Sequence, residues 1–474
     1  MTSRILFAAA LAASAAAPSF AQPAPAPQRP APPPTPAVTA RDEDVLAAFE
    51  RDLDALFLSS GLTSEQAASR AAGASPAVRR RAAEMEAAIA SAEAAELTRV
   101  PQVSLKASYT RLSPLDPFVI GPGAQIEFLN NSYVGTASVG VPLSDYVLRY
   151  PKLIDAARLA TQTTKISKRS SEVNAGQDAR VAYYEWVRAK LQVMIARRQL
   201  TQVQTTLVQV RALAGAQRLN KADLMRVESQ EASAELVLDQ LQNLAQLREE
   251  QLRLLIGAHP TESLAIGEDI RHEVAAPPAQ NLDLLAATAR AQRLEFRVLD
   301  TGIRAKELQR ESENANRYPK LSAFLQADYA RPNPRIFPQA DEFNFTWAAG
   351  LQLTWSLNDN LITKTTDRRL AAETNELRAD RDNLERGTRI ELMAAQQAVS
   401  LAQRSLSTSQ KGLVAAEESY RVRRALLAAE RATAVEIVDA ETELTRSRIA
   451  SLNARVDLRL ALTQLSHATG GDTK

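Results

Sequence analysis

Apolar and polar positions alternate without a break from Phe343 to Leu357. Phe343, Phe345, Trp347, Ala349, Leu351, Leu353, Trp355 and Leu357 are apolar, and the residues between them are polar or small. A period of two predicts a strand of about 15 residues, ~50 Å long, where a strand in a globular domain has about 5–6. Tilted by about 45°, such a strand crosses a bilayer core. One face suits lipid, with Phe343, Trp347 and Trp355 as an aromatic girdle. The other carries Asn344, Thr346, Gln352 and Thr354 and suits a water-filled lumen. Leu321, Ala323, Leu325, Ala327 and Tyr329 alternate in the same way, and Val103 to Tyr109 and Tyr133 to Leu143 do so more weakly. These segments are expected to form two hairpins, near 101–143 and 319–357. Four strands cannot close a barrel, and an open edge in hydrocarbon leaves backbone groups unpaired at several kcal/mol each. The barrel is therefore expected to be shared between chains; two would supply about eight strands and three about twelve.

Elsewhere the period lengthens to seven. Leu370, Leu377 and Leu384 are spaced by seven, as are Leu392, Val399, Leu406, Leu413, Tyr420 and Leu427, and then Ile437, Leu444, Ser451, Leu458 and Leu465. A strict seven-residue period predicts a left-handed supercoil packed on neighbouring helices. No proline falls between Pro151 and Pro260, or after Pro338, and these stretches are rich in Ala, Leu, Glu, Gln and Arg. Very long helices follow, the one from about Leu361 to Leu427 running ~100 Å. Two halves also match at a fixed offset. Leu143-Ser144-Asp145 matches Leu357-Asn358-Asp359, Asp223-Leu224 matches Glu436-Ile437, Val227-Glu228 matches Ala440-Glu441, and Gly257 matches Gly470. Two structural repeats are expected, each a β-hairpin, a long helix, a tip and a return helix.

Composition narrows the function. The 474 residues carry a formal charge of +2, which gives no case for nucleic acid. Cysteine is absent, which excludes thiol catalysis, thiolate metal sites, disulfides and a lipidated N-terminal cysteine. His259, His272 and His467 are the only histidines and have no metal-ligand spacing, so no enzyme activity, metal or cofactor is expected. Arg4, the apolar run Ile5 to Ala17 and the small-x-small site Ser19-Phe20-Ala21 predict an export signal over 1–21. A Pro/Ala tail follows over 22–40. Further along, N-terminal periplasmic helices are expected over 41–100 and a first hairpin over 101–143. A helical pair over 144–257 and an equatorial segment with a helix over 258–318 come next. A second hairpin over 319–357, a second helical pair over 358–470 and a tail over 471–474 complete the chain.

With these features in place, the chain after residue 41 resembles the TolC family of outer-membrane efflux and secretion ducts. The resemblance rests on the Pro-initiated strands at Pro101 and Pro319, the two strand-to-helix joins, and the segment from Thr433 to Glu441. The helix ends Leu254-Leu255-Ile256-Gly257 and Leu465 to Gly470 add to it. It implies an α+β membrane protein: a homotrimer with a shared twelve-stranded outer-membrane barrel continuous with a periplasmic α-helical barrel, without a catalytic centre. It further implies a periplasmic adaptor and an inner-membrane pump as partners, with outer-membrane lipid around the strands. Small-molecule export of drugs or metal ions is the leading function, and an ATP-driven protein or peptide secretion duct the alternative. A non-transporting periplasmic coiled-coil scaffold stands apart from both, but leaves four membrane-grade strands unexplained.

The resemblance also assigns residues. Glu436 and Asp439, at i and i+3, match the family's selectivity ring, where three chains would place six carboxylates around the axis; a solvated helix face is the plain alternative. Asp223 matches the aspartate that latches the closed gate, with Arg431 as its partner, because the latch arginine and tyrosine fall on Ala432 and Leu427. The adaptor-docking tips align with Gln217-Arg218-Leu219 and Ala429-Glu430-Arg431, which lack the family's small-residue groove. Independently, Arg331 and Arg335 in the second loop are candidate contacts for lipopolysaccharide phosphates.

Overall fold

The computed structural model describes residues 49–122, 124–126, 129–217, 220–274, 280–337, 339–429 and 431–473. The expected signal segment and the Pro/Ala tail lie outside the described residues. After helical residues 49–56 the chain runs through β1 (Phe57–Leu62), α1 (Ser64–Ala74), α2 (Pro76–Leu97), β2 (Gln102–Arg111), β3 (Phe118–Gly121), β4 (Ala124–Ile126) and β5 (Asn131–Val141). It continues as α3 (Leu143–Leu148), α4 (Tyr150–Gly215), α5 (Lys221–Ile256), α6 (Leu282–Gln292) and α7 (Leu294–Asn314). The last elements are β6 (Lys320–Arg331), β7 (Asn344–Thr354), α8 (Leu357–Ala428) and α9 (Ala434–Thr469).

The proline-free stretches are the long helices. α4 has 66 residues and α8 has 72, about 99 and 108 Å at the α-helical rise. Pro151 sits in the first turn of α4, where a missing N–H costs nothing. The return helices α5 and α9 have 36 residues each. Asn220 caps α5 by accepting from the Ala222 N–H at 3.1 Å, and Thr433 caps α9 in a reciprocal capping box with Glu436. Both end where a glycine takes the left-handed conformation, Gly257 at φ 64° and Gly470 at φ 78°. Every position of the seven-residue stripe is buried or half-buried, from Leu370 to Leu465. α4 packs on α5, α8 on α9, and α9 against α4, giving the lateral order α5–α4–α9–α8.

Midway along the helices a belt of added structure holds the main core. Trp186, Tyr183, Leu191 and Ile195 of α4 meet Phe49, Leu53, Leu252, Ile266, Ile270 and Val456 there. The helices of this region are interrupted by one strand, β1, which makes parallel bridges to Ile266. Leu62 N–H donates to the Ala265 carbonyl and Gly267 N–H to the Leu62 carbonyl, both at 2.8 Å. The contact needs two glycines: a Cβ on Gly61 would stand 2.6 Å from the Gly267 nitrogen, and one on Gly267 would stand 2.2 Å from the Gly61 oxygen.

At the far end, four strands form one antiparallel sheet in the order β2–β5–β6–β7, and β3 and β4 form a separate ribbon in the first loop. The strand expected over 343–357 is shorter than the alternation suggests, 11 residues from Asn344 to Thr354. The alternation continues into Trp355 and Leu357 because Ser356 is already the N-cap of α8. Eleven residues span about 37 Å, which when tilted still covers an apolar band about 25 Å tall.

Candidate functional site

The strand register sorts the sheet into two chemically distinct faces. One carries Val103, Leu105 and Tyr109 of β2, Tyr133, Val139 and Val141 of β5, Leu321, Leu325 and Tyr329 of β6, and Phe345, Trp347, Leu351 and Leu353 of β7. These side chains are left open to the surroundings: Leu105 is 81% exposed, Leu351 69% and Trp347 63%. So large a contiguous apolar surface requires a non-aqueous neighbour. Aromatic rings gather at its upper end, with Tyr109–Tyr133 and Tyr329–Phe343 centroids each 5.0 Å apart. At the lower end Trp355 donates its indole N–H to the Arg317 carbonyl at 3.3 Å. Phe343 and Trp355 thus stand near the two edges of the face and Trp347 within it.

The opposite face is polar. Ser104 and Ser138 share a hydrogen bond of 2.7 Å, and Thr136 donates to Asp328 Oδ1 at 2.7 Å. Gln326 Nε2 donates to both Asp328 oxygens at 3.0 and 2.9 Å. Phe324 is the one aromatic side chain on it, and its row explains it: Gly140 and Gly350 flank it on the neighbouring strands. A Cβ on Gly350 would stand 3.0 Å from the Phe324 ring, so the glycine leaves the space the ring lies across.

The loop from β6 to β7 folds back on the sheet. Asn333, 1% exposed, donates to the Asn344 carbonyl at 2.9 Å. The two arginines expected to meet lipopolysaccharide are both engaged within the chain. Arg331 makes two bonds to Asp341, at 2.9 and 2.8 Å, and Arg335 Nη1 donates to the Trp347 carbonyl at 2.8 Å.

At the opposite end of the helices, Leu207, Val210, Val227 and Val438 join α4, α5 and α9 in a small core. Asp439 reaches across this seam to Arg226 at 3.3 Å. One turn further Gln230 Nε2 donates to Thr442 Oγ1 at 3.5 Å. Glu436 closes the capping box and lies 3.9 Å from Arg423 of α8. The two candidate ring carboxylates thus hold different cations within the chain. Within one chain, among the described residues, Asp223 and Arg431 make no ion pair with each other. Asp223 lies in the first turn of α5, where the helix N-terminus favours a carboxylate. Arg431 follows the end of α8, its N–H donating to the Leu426 carbonyl at 2.8 Å. Of the tip residues, Gln217 has φ 55° and Ala429 is exposed, while Arg218, Leu219 and Glu430 lie outside the described residues.

Sequence reasoning missed Arg226 and Arg423, and met Glu441 only as the end of a matched segment. Arg226 and Asp439 are 213 residues apart, the offset that relates the two halves of the sequence, and that offset was the available signal. Glu441 is 3% exposed and accepts from Thr206 Oγ1 at 2.8 Å; its other oxygen has no partner. It lines a cavity of about 700 Å³ between α4, α8, α9 and residues 52–56, with Arg197, Arg424, Tyr420 and Ile437. Burial pushes its pKa up to about 7, against smaller lowering effects of the Thr206 hydroxyl and Arg424. No group of three or more His, Cys, Asp or Glu among the described residues is arranged to hold a metal ion.

No protein-family model matches the sequence, and no curated protein matches it. Solved structures do. CusC, described as forming a transmembrane channel, superposes with a TM-score of 0.71 at 15% identity, over 88% of this chain and 93% of that one. The open-state MtrE outer membrane channel of Neisseria gonorrhoeae gives 0.71 at 15% identity, over 87% and 89%. The outer membrane protein VceC of Vibrio cholerae gives 0.68 at 16% identity, over 90% and 96%. The chain therefore has the outer-membrane channel fold of the TolC-like family.

Proposed function

We propose that three copies of the chain close a twelve-stranded barrel in the outer membrane of a Gram-negative cell. Their helices continue it as a periplasmic tube, through which an inner-membrane pump and its adaptor export small molecules such as drugs or metal ions. The observation that carries this reading is the sheet: one face apolar below Arg111 and Arg331 at its upper end and largely exposed, the other polar, with edge strands β2 and β7 each lacking a neighbour on one side among the described residues. In a bilayer such edges must pair, and β7 of one copy with β2 of the next satisfies both. The four long helices, ordered α5–α4–α9–α8, likewise offer α8 to α5 of the next copy. Equal return helices and matching glycine caps support the two-repeat organisation. Drugs and metal ions are small enough to follow a water-filled lumen without a binding pocket, and the duct itself performs no catalysis.

Glu436 and Asp439 are the proposed selectivity ring, and Gln217 and Ala429 part of the tips that meet the adaptor. The purified protein is expected to form heat-modifiable trimers and small cation-selective channels in planar bilayers. Glu436→Ala/Asp439→Ala should lose most of that selectivity while still conducting. Well-folded trimers that never conduct would favour the scaffold reading instead.

Closure of the periplasmic end is proposed to rest on Arg226–Asp439, with Asp223 and Arg431 in lesser roles. Arg226→Ala removes the cation that neutralises Asp439, so single-channel conductance should rise severalfold and cation selectivity should increase with it. Arg431→Ala should change neither. If the two variants behave alike, Arg226 is only a surface charge.

A further inference from the structure

The polar face of the sheet carries its charges in a definite place. The register aligns Lys106 of β2 with Thr136 of β5, Thr136 with Asp328 of β6, and Asp328 with Thr346 of β7, so one row crosses all four strands. The two rows towards the periplasm from it, Ser104–Ser138–Gln326–Ala348 and Gln102–Gly140–Phe324–Gly350, contain no charge. Neither does the row above it, Ser108–Val134–Ala330–Asn344. Lys320, at the lower edge, is the one other charged residue on this face of the four strands.

The two charges are held differently. Asp328 is clamped by three hydrogen bonds, from Thr136 Oγ1 and from Gln326 Nε2 to each oxygen. All three hydrogen-bond donors are neutral and hold the carboxylate in a fixed position; Arg335 of the β6–β7 loop, bonded to the Trp347 carbonyl, is the cation nearby that also acts on it. Lys106 lies on edge strand β2, is exposed and makes no ion pair among the described residues. Two strand spacings separate the pair, about 10 Å, too far for a salt bridge. Each charge therefore acts separately on whatever passes.

We propose that Lys106 and Asp328 are a balanced pair of specificity-determining residues in the membrane section of the duct, opposing each other so that it admits solutes of either sign. This rests on the proposed trimeric duct. Three copies give three of each charge about 10 Å from the axis of a twelve-stranded barrel. Balance suits a wide conduit that follows a selective gate: a sheet with Asp328 alone would retain cations, and one with Lys106 alone would retain anions. A preference of this kind follows from local potential and needs no binding pocket.

The test uses the absence of cysteine from the chain. Ser138 lies on β5 between the two charged strands, two residues along from Thr136 and on the same face. It is diagonal to both Lys106 and Asp328, at about 7–8 Å. Ser138→Cys therefore reports the potential from both, independently of the distant periplasmic gate. The rates of modification by a trimethylammonium and by a sulfonate methanethiosulfonate of equal length are measured on outer-membrane trimers.

Lys106→Gln is expected to raise the cation-to-anion rate ratio about threefold at 0.1 M salt, and Asp328→Asn to lower it by about as much. The double variant should return near the starting ratio, and Lys106→Arg should leave it unchanged. Lys106 makes no hydrogen bond or ion pair among the described residues, so its variant decides the matter if Asp328→Asn assembles poorly. A ratio indifferent to Lys106→Gln, on a cysteine that both reagents reach, overturns the proposal and leaves the duct standing. A cysteine that neither reagent reaches in assembled trimers overturns the lumen itself, and the pair with it.

Discussion

Leu325→Arg should abolish outer-membrane assembly, while Gln326→Arg, one residue away, should be tolerated. Leu325 lies near the middle of β6, between Val139 of β5 and Ala349 of β7 on the apolar face. It is 49% exposed, although it sits on an inner strand of the sheet. An arginine on the lipid face near the bilayer midplane costs about 2–4 kcal/mol. A trimer carries three, so the total is about 6–12 kcal/mol, comparable with the whole stability of an ordinary domain. The guanidinium cannot reach water by bending along the strand, because aromatic side chains occupy the upper edge and Trp355 the lower. Gln326 points the other way and already bonds both oxygens of Asp328. An arginine there would meet water and a carboxylate. The measurement is the fraction of heat-modifiable trimer in outer-membrane preparations. If the two variants assembled equally well, the sheet would have no lipid face and the duct reading would be lost.

Much of this was legible because a strand exposes its environment at a period of two. The alternation from Phe343 onwards needed only the sequence, since lipid on one side and water on the other impose opposite demands on neighbouring residues. The end of the strand was less legible: Leu357 continues the alternation yet begins α8, and a period of two cannot separate a strand's last apolar residue from a helix's first. β1 was hidden for a different reason. Its partner is a single residue, Ile266, and its geometry depends on Gly61 meeting Gly267 more than 200 positions away. The helix tips divide the same way. Resemblance pointed to Asp223 and Arg431; within the chain Asp223 lies at a helix N-terminus, and Arg226 is the residue that reaches Asp439. The separation of 213 residues was present in the sequence; what was missing was knowledge that equivalent positions of the two halves face each other across one seam. Glu441 was legible as the end of a matched segment, but its burial was not, because helices α4 and α8 cover it, not its neighbours in sequence.

That burial leads to the second large effect, a pH-dependent loosening of the seam between α4 and α9. Glu441 accepts from Thr206 of α4 and is within electrostatic reach of Arg424 of α8; Lys190, Arg197, Tyr420 and Asp52 line the same cavity further along. With one oxygen unpartnered, its charged form is the costly one. Burial holds its folded-state pKa at about 7, above the 4.5 of an ordinary glutamate. The stability that the neutral form contributes is therefore fully present below about pH 4.5 and is lost as pH rises through 7. A shift of this size corresponds to about 3 kcal/mol per chain at pH 8. Glu441→Gln cannot ionise and still offers Thr206 an acceptor, so it should match the native chain at pH 4 and exceed it at pH 8. The difference should appear as about 100-fold slower hydrogen exchange of the α9 amides near 438–445, after correction for intrinsic rates. The corresponding residue of the first half, Glu228, is half-buried, bonds Arg211 at 3.0 Å and supplies the control: Glu228→Gln should show no such dependence. Equal protection of the Glu441 variant and the native chain at both pH values would mean that Arg424 fully compensates the buried charge. In that case the seam would separate at the same cost in neutral and acidic surroundings.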